Sequence, residues 1–266
     1  MADDRSTLVA VAHGSRDPAA LRTVTALLDR VRAQRPGLRV ELGHVELNAP
    51  LLPATLGALP YGGRAVLVPL LLARGHHVNH DLPAAAAEAT HLATAVAAPL
   101  GPHPLLAEAL ADRLREAGWR PGPRRAVVLA AAGSRDPDAA VDTARTAGLL
   151  SHRLGGTPVV PAAAPAVEEA VAGLRADGYR HLALASCFTA PGLFAARCAA
   201  AAHRAGGAAR CVAAAPLGAH PALARLVLRR YDEAVRARET SGQEASVRAA
   251  RAPVPRTAPH PHPLAA

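Results

Sequence analysis

The sequence predicts an α/β protein made of two Rossmann-like or flavodoxin-like domains, each a four-stranded parallel sheet flanked by helices. Three observations predict this fold. The chain has 266 residues, of which 50% are hydrophobic, and this is enough for two cores of ordinary domain size. Short apolar runs alternate with longer segments of helical periodicity, as they do in parallel sheets. Two landmark motifs also occur twice, which indicates an internal duplication.

Both landmarks return at a nearly constant offset. The sequence His-Gly-Ser-Arg-Asp-Pro at 13–18 returns as Ala-Gly-Ser-Arg-Asp-Pro at 132–137, which is 119 positions later. The sequence Pro-Leu-Gly-Pro-His-Pro at 99–104 returns as Pro-Leu-Gly-Ala-His-Pro at 216–221, which is 117 positions later. Because both copies of the second landmark continue into a leucine-rich helical pattern, we infer that the chain contains one structural unit twice.

A glycine- and proline-rich stretch at 118–124 lies between the two units and is predicted to be a linker. We therefore predict an N-terminal domain at 1–119 that carries the functional site, a degenerate C-terminal domain at 124–239, and a tail at 240–266. The tail is predicted to be disordered, because its mixture of proline, arginine and histidine shows no hydrophobic period.

The elements of each half follow from the pattern of apolar residues. Strands are predicted at 8–12, 40–47, 65–72 and 93–98 in the first half and at 126–131, 158–160, 181–185 and 209–213 in the second. Helices are predicted between them. In the first half the residues of the first and last helical stripes are Leu21, Val24, Leu28 and Val31, and Leu105, Leu106, Ala109, Leu110 and Leu114.

The charged residues exclude several classes of enzyme. All 30 basic residues are arginine, so the chain has no Walker A phosphate loop, no Schiff-base lysine and no lysine general base. The net charge is +9, which favours anionic partners such as a polycarboxylate. Nucleic acid is not the predicted partner, because the arginines form no stripe and only 2% of the residues are aromatic.

No membrane partner is predicted either. The longest apolar runs, such as 65–73, reach about half of the roughly 20 residues that a bilayer span needs, and the first apolar stretch is too short for a signal peptide. Cys187, Cys198 and Cys211 are widely spaced, which is typical of small buried side chains in a reducing compartment rather than of a zinc site. We therefore expect a cytoplasmic protein.

Polar side chains follow three successive strands of the first half. In parallel sheets, ligands bind beyond the carboxyl ends of the strands. The first strand ends at His13, the second at Glu46, and the third continues into a loop with His77. With strand order 2-1-3-4 these strands are neighbours about 4.8 Å apart, which would place His13 between the other two. Two imidazoles and a carboxylate suit a divalent ion of the iron, cobalt, nickel or zinc group.

The second half serves as an internal control. Aligned on its landmarks, it places Ala132 opposite His13, Pro161 opposite Glu46, and Phe194 opposite His77. A purely structural role for the three polar residues predicts that both copies keep them. Their loss from one copy therefore indicates one active lobe and one supporting lobe.

Other polar residues have a simpler interpretation. His76 is an alternative ligand to His77, and His80 either supports the ligands or is solvated in the loop. Residues that recur in both halves are predicted to be structural, and His260 and His262 in the tail are weak evidence for metal binding. The recurring residues are Gly14, Ser15, Asp17 and His103 in the first half and Gly133, Ser134, Asp136 and His220 in the second.

The motifs around these residues resemble those of the class II chelatases, which insert a divalent metal into sirohydrochlorin. The resemblance rests on the strand-His-Gly-Ser-Arg start at His13, on Glu-x-x-x-Pro at 46–50, and on Gly-x-His-Val-x-x-Asp-Leu-Pro at 75–83. It covers most of 6–238 in a duplicated form. The third position of the last motif is His77. The chain departs from the family at Leu51, where a small hydroxyl residue is expected.

The resemblance implies an ATP-independent lyase that inserts Co²⁺ or Fe²⁺ into sirohydrochlorin in cobalamin or sirohaem biosynthesis, with Ni²⁺ as a further candidate and no organic cofactor. The metal ligands would be His13, Glu46 and His77. Because insertion releases two pyrrole protons, the two histidines would also act as bases. Four arginines near the predicted cleft are candidates to pair with the carboxylates of the tetrapyrrole, in a monomer or homodimer. These are Arg16, Arg74, Arg135 and Arg197.

Two alternatives remain open at this point. A non-catalytic metal or tetrapyrrole carrier of the same fold would bind without turnover. A phosphoryl-transfer enzyme with His13 as nucleophile would need a preceding arginine, and Ala12 stands there instead.

Overall fold

The computed structural model describes residues 6–206 and 211–250, and the predictions for His260, His262 and residues 251–266 lie outside this part of the chain. The described residues form two four-stranded parallel sheets with helices on both faces. Of the helices in this part of the chain, none is both long and apolar enough to cross a membrane.

The first lobe contains four strands in the order β2-β1-β3-β4. This is the predicted order 2-1-3-4, and all pairs are parallel. Its elements are β1 (Thr7–Ala12), α1 (Pro18–Gln34), β2 (Val40–His44), α2 (Leu52–Gly57), β3 (Arg64–Pro69), a π-helix (His77–Asp81), α3 (Leu82–Glu88), β4 (Ala93–Val96) and α4 (Pro104–Glu116).

The second lobe repeats this topology as β6-β5-β7-β8. The second half of the chain supplies β5 (Arg125–Ala131), α5 (Pro137–Arg153), β6 (Val159–Ala163), a 3₁₀ turn (Ala164–Ala166), α6 (Val167–Ala176), β7 (His181–Ser186), α7 (Leu193–Gly206), β8 (Cys211–Ala213) and α8 (Pro221–Ala250). The last helix of each half packs on the sheet of the other half, since α8 contacts β3 and β4 and α4 contacts β7. The predicted strand at 209–213 begins outside the described residues.

Four strand ends differ from the prediction by two residues or more, and among them the strand predicted at 93–98 ends at Val96. The strand predicted at 40–47 ends at His44, because the backbone N–H of His44 bonds to the Pro50 carbonyl and the chain turns between them. The strand predicted at 65–72 ends at Pro69, and the one predicted at 158–160 continues to Ala163. Leu70, Leu71 and Leu72, beyond the end of β3, line a cleft instead, which hydropathy alone does not distinguish from pairing.

The helices begin at the caps that the landmarks predict. The side chains of Asp17 and Asp136 accept hydrogen bonds from the backbone N–H groups two residues later, at 2.8 Å and 2.9 Å. The Nδ1 atoms of His103 and His220 accept equivalent bonds at 3.0 Å and 3.2 Å. The predicted structural role of these residues is therefore confirmed.

One continuous core joins the two lobes. It includes residues of β1 and β3 in the first lobe and of β5 and β7 in the second, with α1, α4, α5 and α8 between the sheets. The three cysteines are free and buried, as predicted. Burial raises the pKa of Cys187 to about 12 and that of Cys211 to about 11, so these thiols stay protonated and act as apolar side chains.

The helix α8 extends beyond the predicted end of ordered structure. Disorder is predicted from residue 240, but α8 continues to Ala250. Residues 240–250 contain no proline, so a helix that is already packed on the first lobe can propagate through them. Its packed part is bound to the start of the chain, because the Tyr231 hydroxyl donates to the Ser6 carbonyl at 2.6 Å and Asp232 pairs with Arg35.

Candidate functional site

A cleft of about 1810 Å³ lies between the lobes, at the carboxyl ends of both sheets. The turns after β1, β2 and β3 form one wall, and the equivalent segments of the second lobe form the other. This is the edge at which parallel sheets place their ligands, because the loops that leave the strands meet there.

His13 follows β1 and is placed by a turn that only glycine can make. Gly14 has a φ of +104°, and a Cβ at this position would lie 1.9 Å from the Glu46 carbonyl oxygen. The Glu46 N–H also donates to the His13 carbonyl at 3.0 Å. As a result, His13 Nδ1 lies 3.6 Å from Glu46 Oε1, and the side chains are 46% and 52% exposed to the cleft.

The turn that carries Glu46 is held by a residue that sequence analysis did not single out. Asn48 Oδ1 accepts the Ser15 N–H at 2.7 Å, and the Asn48 N–H donates to the Glu46 carbonyl at 2.8 Å. Leu47, between them, has a φ of +65°. Asn48 therefore ties the turn after β2 to the turn after β1. The signal available in the sequence was an asparagine within a short turn, which favours such bonds.

His77 begins the π-helix after β3 and lies against His13. The centroids of the two imidazole rings are 4.9 Å apart, and the ring planes are nearly perpendicular at 82°. His77 Nδ1 is 2.5 Å from Asp81 Oδ2. This contact orients the ring and leaves Nε2 as the nitrogen that is open to a ligand. Sequence analysis missed Asp81, although its spacing of four residues from His77 is that of neighbours on a helix.

Of the three predicted ligands, His13 thus lies next to both Glu46 and His77. Within the described residues, no group of three or more His, Cys, Asp or Glu side chains forms a ready metal site. Joint ligation of one ion by His13, Glu46 and His77 therefore stays a prediction. The alternative ligand, His76, is more exposed, and its ring lies 4.9 Å from that of His80 and 6.3 Å from that of His77.

The predicted arginines do not form one set. Arg16 and Arg74 line the cleft, whereas Arg135 and Arg197 are not among the described residues of its wall. Arg197 lies beside the cleft-facing stripe of α7 rather than on it, because helical residues three and seven apart share a face. That stripe consists of Ala196, Ala199 and His203.

Arg74 is engaged within the protein. Its guanidinium pairs with Asp142 at 2.7 Å and with Asp138 at 3.0 Å, both in the second lobe. Substrate binding by Arg74 therefore stays a prediction, and the engagement of its guanidinium by two carboxylates argues against it. In the part of the chain that the structure describes, no hydrogen bond or ion pair engages the Arg16 guanidinium, and its side chain is exposed.

The sheet register corrects one position of the internal comparison. Ala12 pairs with His44 in the first lobe, and Ala131 pairs with Ala163 in the second, so the residue equivalent to Glu46 is Pro165. The predicted equivalent, Pro161, matches Leu42 instead. The two repeated motifs lie too far along the chain from the turns after β2 and β6 to determine how these turns align.

The other two equivalences hold. Ala132 follows β5 as His13 follows β1. Val11 pairs with Pro69, and Ala130 pairs with Ser186, which gives the offset of 117 that matches His77 to Phe194. The second lobe therefore presents alanine, proline and phenylalanine where the first presents its polar cluster.

Exposed apolar side chains concentrate in the cleft. Leu193 and Phe194, at the start of α7, are 60% and 50% exposed, and they line the wall opposite the histidines. Leu21 and Leu47 are exposed on the first lobe's side of the same cleft. An exposed apolar patch inside a cleft is typical of a binding site for a ligand with apolar surface.

The two-lobed parallel fold is that of class II chelatases of known structure. A family model described as CbiX matches residues 7–117 and 126–234. The chain belongs to this family, which confirms the resemblance found in the sequence.

Similar proteins include named chelatases. The chain is 33% identical over 78 residues to a sirohydrochlorin cobaltochelatase of Methanococcus maripaludis, over 29% of this chain and 54% of that protein. It is 28% identical over 163 residues to a sirohydrochlorin ferrochelatase of Bacillus subtilis, over 59% of this chain and 62% of that protein. The matches thus span about half to three fifths of these relatives.

Solved structures share the fold. The sirohydrochlorin chelatase SirB from Bacillus subtilis subspecies spizizenii, in complex with cobalt, matches with a TM-score of 0.73 and 21% identity. The match covers 86% of this chain and 95% of SirB. The structure of CbiX described as the terminal enzyme of sirohaem biosynthesis in denitrifying bacteria matches with a TM-score of 0.65 and 20% identity, over 86% and 99% of the two chains.

Proposed function

We propose that this protein inserts Co²⁺ or Fe²⁺ into sirohydrochlorin in the cleft between its lobes. The observation that carries this proposal is the cluster of His13, Glu46 and His77, which faces a cleft large enough for a macrocycle. Membership of the CbiX family and its similarity to sirohydrochlorin cobaltochelatases and ferrochelatases support the same substrates. Ni²⁺ is a further candidate metal, and no organic cofactor is needed for the reaction.

The first role of the cluster is to hold the incoming ion. His13 and Glu46 supply one nitrogen and one oxygen, and His77 supplies Nε2, since Asp81 engages its Nδ1. This mixed set suits first-row divalent metals. All ligands come from one lobe, so the other side of the ion stays open to the pyrrole nitrogens.

The second role is to remove protons. Insertion replaces two pyrrole N–H protons by one M²⁺, so two protons must leave as the nitrogen–metal bonds form. An imidazole is a suitable acceptor near neutral pH. As the ring nitrogens take over the ion, His13 and His77 are released from it and are free to accept these protons. Because both side chains are partly exposed, the protons can then pass to solvent.

The opposite wall fits the face of the macrocycle. Phe194 and Leu193 offer an apolar surface across the cleft from the histidines, and Leu47 extends it on the near side. Arg16 is free at the cleft to pair with an acetate or propionate group. The proposed partner is therefore the tetrapyrrole alone, with no nucleic acid or membrane, for a cytoplasmic monomer or homodimer.

The test is metal insertion followed by the absorbance change of the macrocycle. Wild-type protein is expected to accelerate insertion of Co²⁺ or Fe²⁺, and His13→Ala and His77→Ala are expected to lose this acceleration while they stay folded. His152→Ala, which removes an exposed histidine of α5 outside the cleft wall, is the matched control. Binding without turnover by the wild type would indicate a carrier and would contradict the proposal.

A further inference from the structure

The first part of the loop that carries His77 is bound to the second lobe by an ion pair and a backbone hydrogen bond. Arg74 donates from Nε to Asp142 Oδ2 at 2.9 Å and from its second terminal nitrogen to Oδ1 at 2.7 Å, so the pair is bidentate. The backbone N–H of Arg74 also donates to Oδ2, at 2.9 Å. The Asp142 side chain is 1% exposed. Asp142 thus holds both the backbone and the side chain of a residue three positions before His77.

A further hydrogen bond binds the same loop to the second lobe after His77. Asn79 Nδ2 donates to Asp136 Oδ2 at 2.8 Å, across the lobe boundary. Asp136 is the residue whose other oxygen caps α5, so it is itself held in place. The segment 74–79 therefore has an attachment to α5 or its cap on either side of the histidine.

These attachments exist on one side of the pseudo-symmetric molecule. The residues equivalent to Arg74 and Asn79 are Pro191 and Ala196, neither of which has a side-chain donor. The residue equivalent to Asp142 is Thr23, whose hydroxyl donates to its own helix. The equivalent loop of the second lobe is joined to the first lobe by a hydrogen bond from Thr189 Oγ1 to the Leu70 carbonyl, at 2.8 Å. The ion pair with a buried carboxylate occurs on the loop that carries the histidine.

Arg74 and Asp142, which we call the clamp, each stabilise the charged form of the other. Burial alone would raise the pKa of Asp142, but the hydrogen bonds and charge of Arg74 outweigh it, and the pKa lies below its ordinary value. The hydrogen bond to Asp142 likewise raises the pKa of Arg74. Both groups are therefore ionised at neutral pH.

We propose that Asp142, in the lobe without metal ligands, is a positioning residue that holds His77 against His13 through Arg74. This inference rests on the proposed function. The second lobe then has a role beyond forming one wall of the cleft, because its buried Asp142 carboxylate determines the position of His77 in the first lobe. If the Arg74–Asp142 interaction is weakened, the His77 side chain is unchanged but its ring adopts several orientations, some of which do not face the ion. The affinity for the metal is then lower.

The test measures Co²⁺ binding to the protein without macrocycle, by titration. Asp142→Asn removes the charge with little change of shape and is expected to raise the Kd for Co²⁺ by about tenfold. In insertion assays the KM for Co²⁺ rises and the KM for sirohydrochlorin stays the same. Glu108→Gln, which breaks the ion pair of Glu108 with Arg225 between the lobes, is the matched control and leaves the Kd unchanged.

A double variant separates positioning from a general structural effect. In a His77→Ala background, Asp142→Asn should cause no further loss of Co²⁺ affinity, since the residue that it positions is gone. An equal loss in both backgrounds would overturn the proposal. Asn79→Ala removes only the exposed attachment, so its folding is not at risk, and it is expected to raise the Kd by about threefold.

The outcomes distinguish this inference from the proposed function. If His77→Ala weakens Co²⁺ binding but Asp142→Asn and Asn79→Ala bind as the wild type does, the positioning role is wrong and the proposed function stands. If His77→Ala itself binds Co²⁺ and inserts it as the wild type does, the proposed site is wrong, and this inference falls with it.

Discussion

The two lobes have the same scaffold and different faces toward the cleft. Both have strand order 2-1-3-4 in their own numbering, glycine with positive φ after the first strand, and an aspartate cap on the helix that follows. They differ where side chains enter the cleft, with His13, Glu46 and His77 on one side. The comparison separates residues that the fold requires, which both copies retain, from residues of one copy to which we assign the proposed chemistry.

The largest effect is expected when His77 is replaced by the residue that the second lobe has at the equivalent position. His77→Phe gives the first lobe the side chain of the second and is expected to reduce the insertion rate by about 10²–10⁴-fold, the usual contribution of a positioned base. Rates of Co²⁺ insertion at saturating sirohydrochlorin measure it.

Phe194→His is the matched exchange in the other direction. It should create no second Co²⁺ site, because Ala132 and Pro165 supply no further ligands. A second equivalent of bound Co²⁺ in this variant would show that the polar cluster is not what distinguishes the lobes.

The next test compares the two turn glycines. Gly133→Ala is expected to cost about 1–2 kcal/mol of unfolding free energy, the cost of a side chain at positive φ. Gly14→Ala should cost more, because its Cβ would lie 1.9 Å from the Glu46 carbonyl oxygen, whereas the nearest atom at Gly133 is 3.1 Å away. Urea denaturation measures both.

The two alanine variants should also differ in function. Gly14→Ala is expected to weaken Co²⁺ binding, since it displaces Glu46, and Gly133→Ala is expected to leave it unchanged. Equal effects of the two substitutions on Co²⁺ affinity would contradict the assignment of the metal site to the first lobe.

A smaller effect is expected from the apolar wall. Phe194→Ala should raise the KM for sirohydrochlorin by about two- to tenfold, which corresponds to the loss of one aromatic contact. The melting temperature should hardly change, because the ring is half-exposed. Tyr61→Ala, at an exposed aromatic residue outside the cleft wall, should leave the KM as it is.

The smallest effect concerns the histidine caps that both lobes share. Burial, with nearby arginines, lowers the pKa of His103 below 6.5, and burial also lowers that of His220. Because the unfolded chain binds protons more readily, stability is full above pH 6.5 and falls as the pH drops toward the folded-state values. Replacing both by asparagine keeps a cap and should flatten this decline in urea titrations. An unchanged decline would mean that other groups cause it.

Much of the fold follows from local sequence. The two parallel sheets and the position of Asp17 at a helix start were predictable, because alternating strands and helices imply a parallel sheet and because an aspartate before a helical pattern is a typical cap. The juxtaposition of His13 and His77 was predictable for the same reason, since strand order determines which loops meet.

The misplaced predictions depend on contacts between distant parts of the chain. The ion pair of Arg74 with Asp142 was not predicted, because Asp142 lies in another lobe and no local pattern indicates how the lobes dock. Pro165 was missed because the turn after β6 carries no landmark. The helix beyond Glu239 was missed because the packing of α8 on the first lobe, rather than an apolar period, supports its continuation.

The ties of α8 to the start of the chain have a consequence for how the protein works at low concentration. Residues 118–124 join the two units covalently, and Tyr231 and Asp232, late in the chain, bind Ser6 and Arg35, so the second unit meets the first without diffusing. A tether of this kind holds its partner at an effective concentration of about millimolar. Both walls of the cleft therefore come from one molecule, and turnover per chain should not decline on dilution, as it would if two separate subunits had to associate.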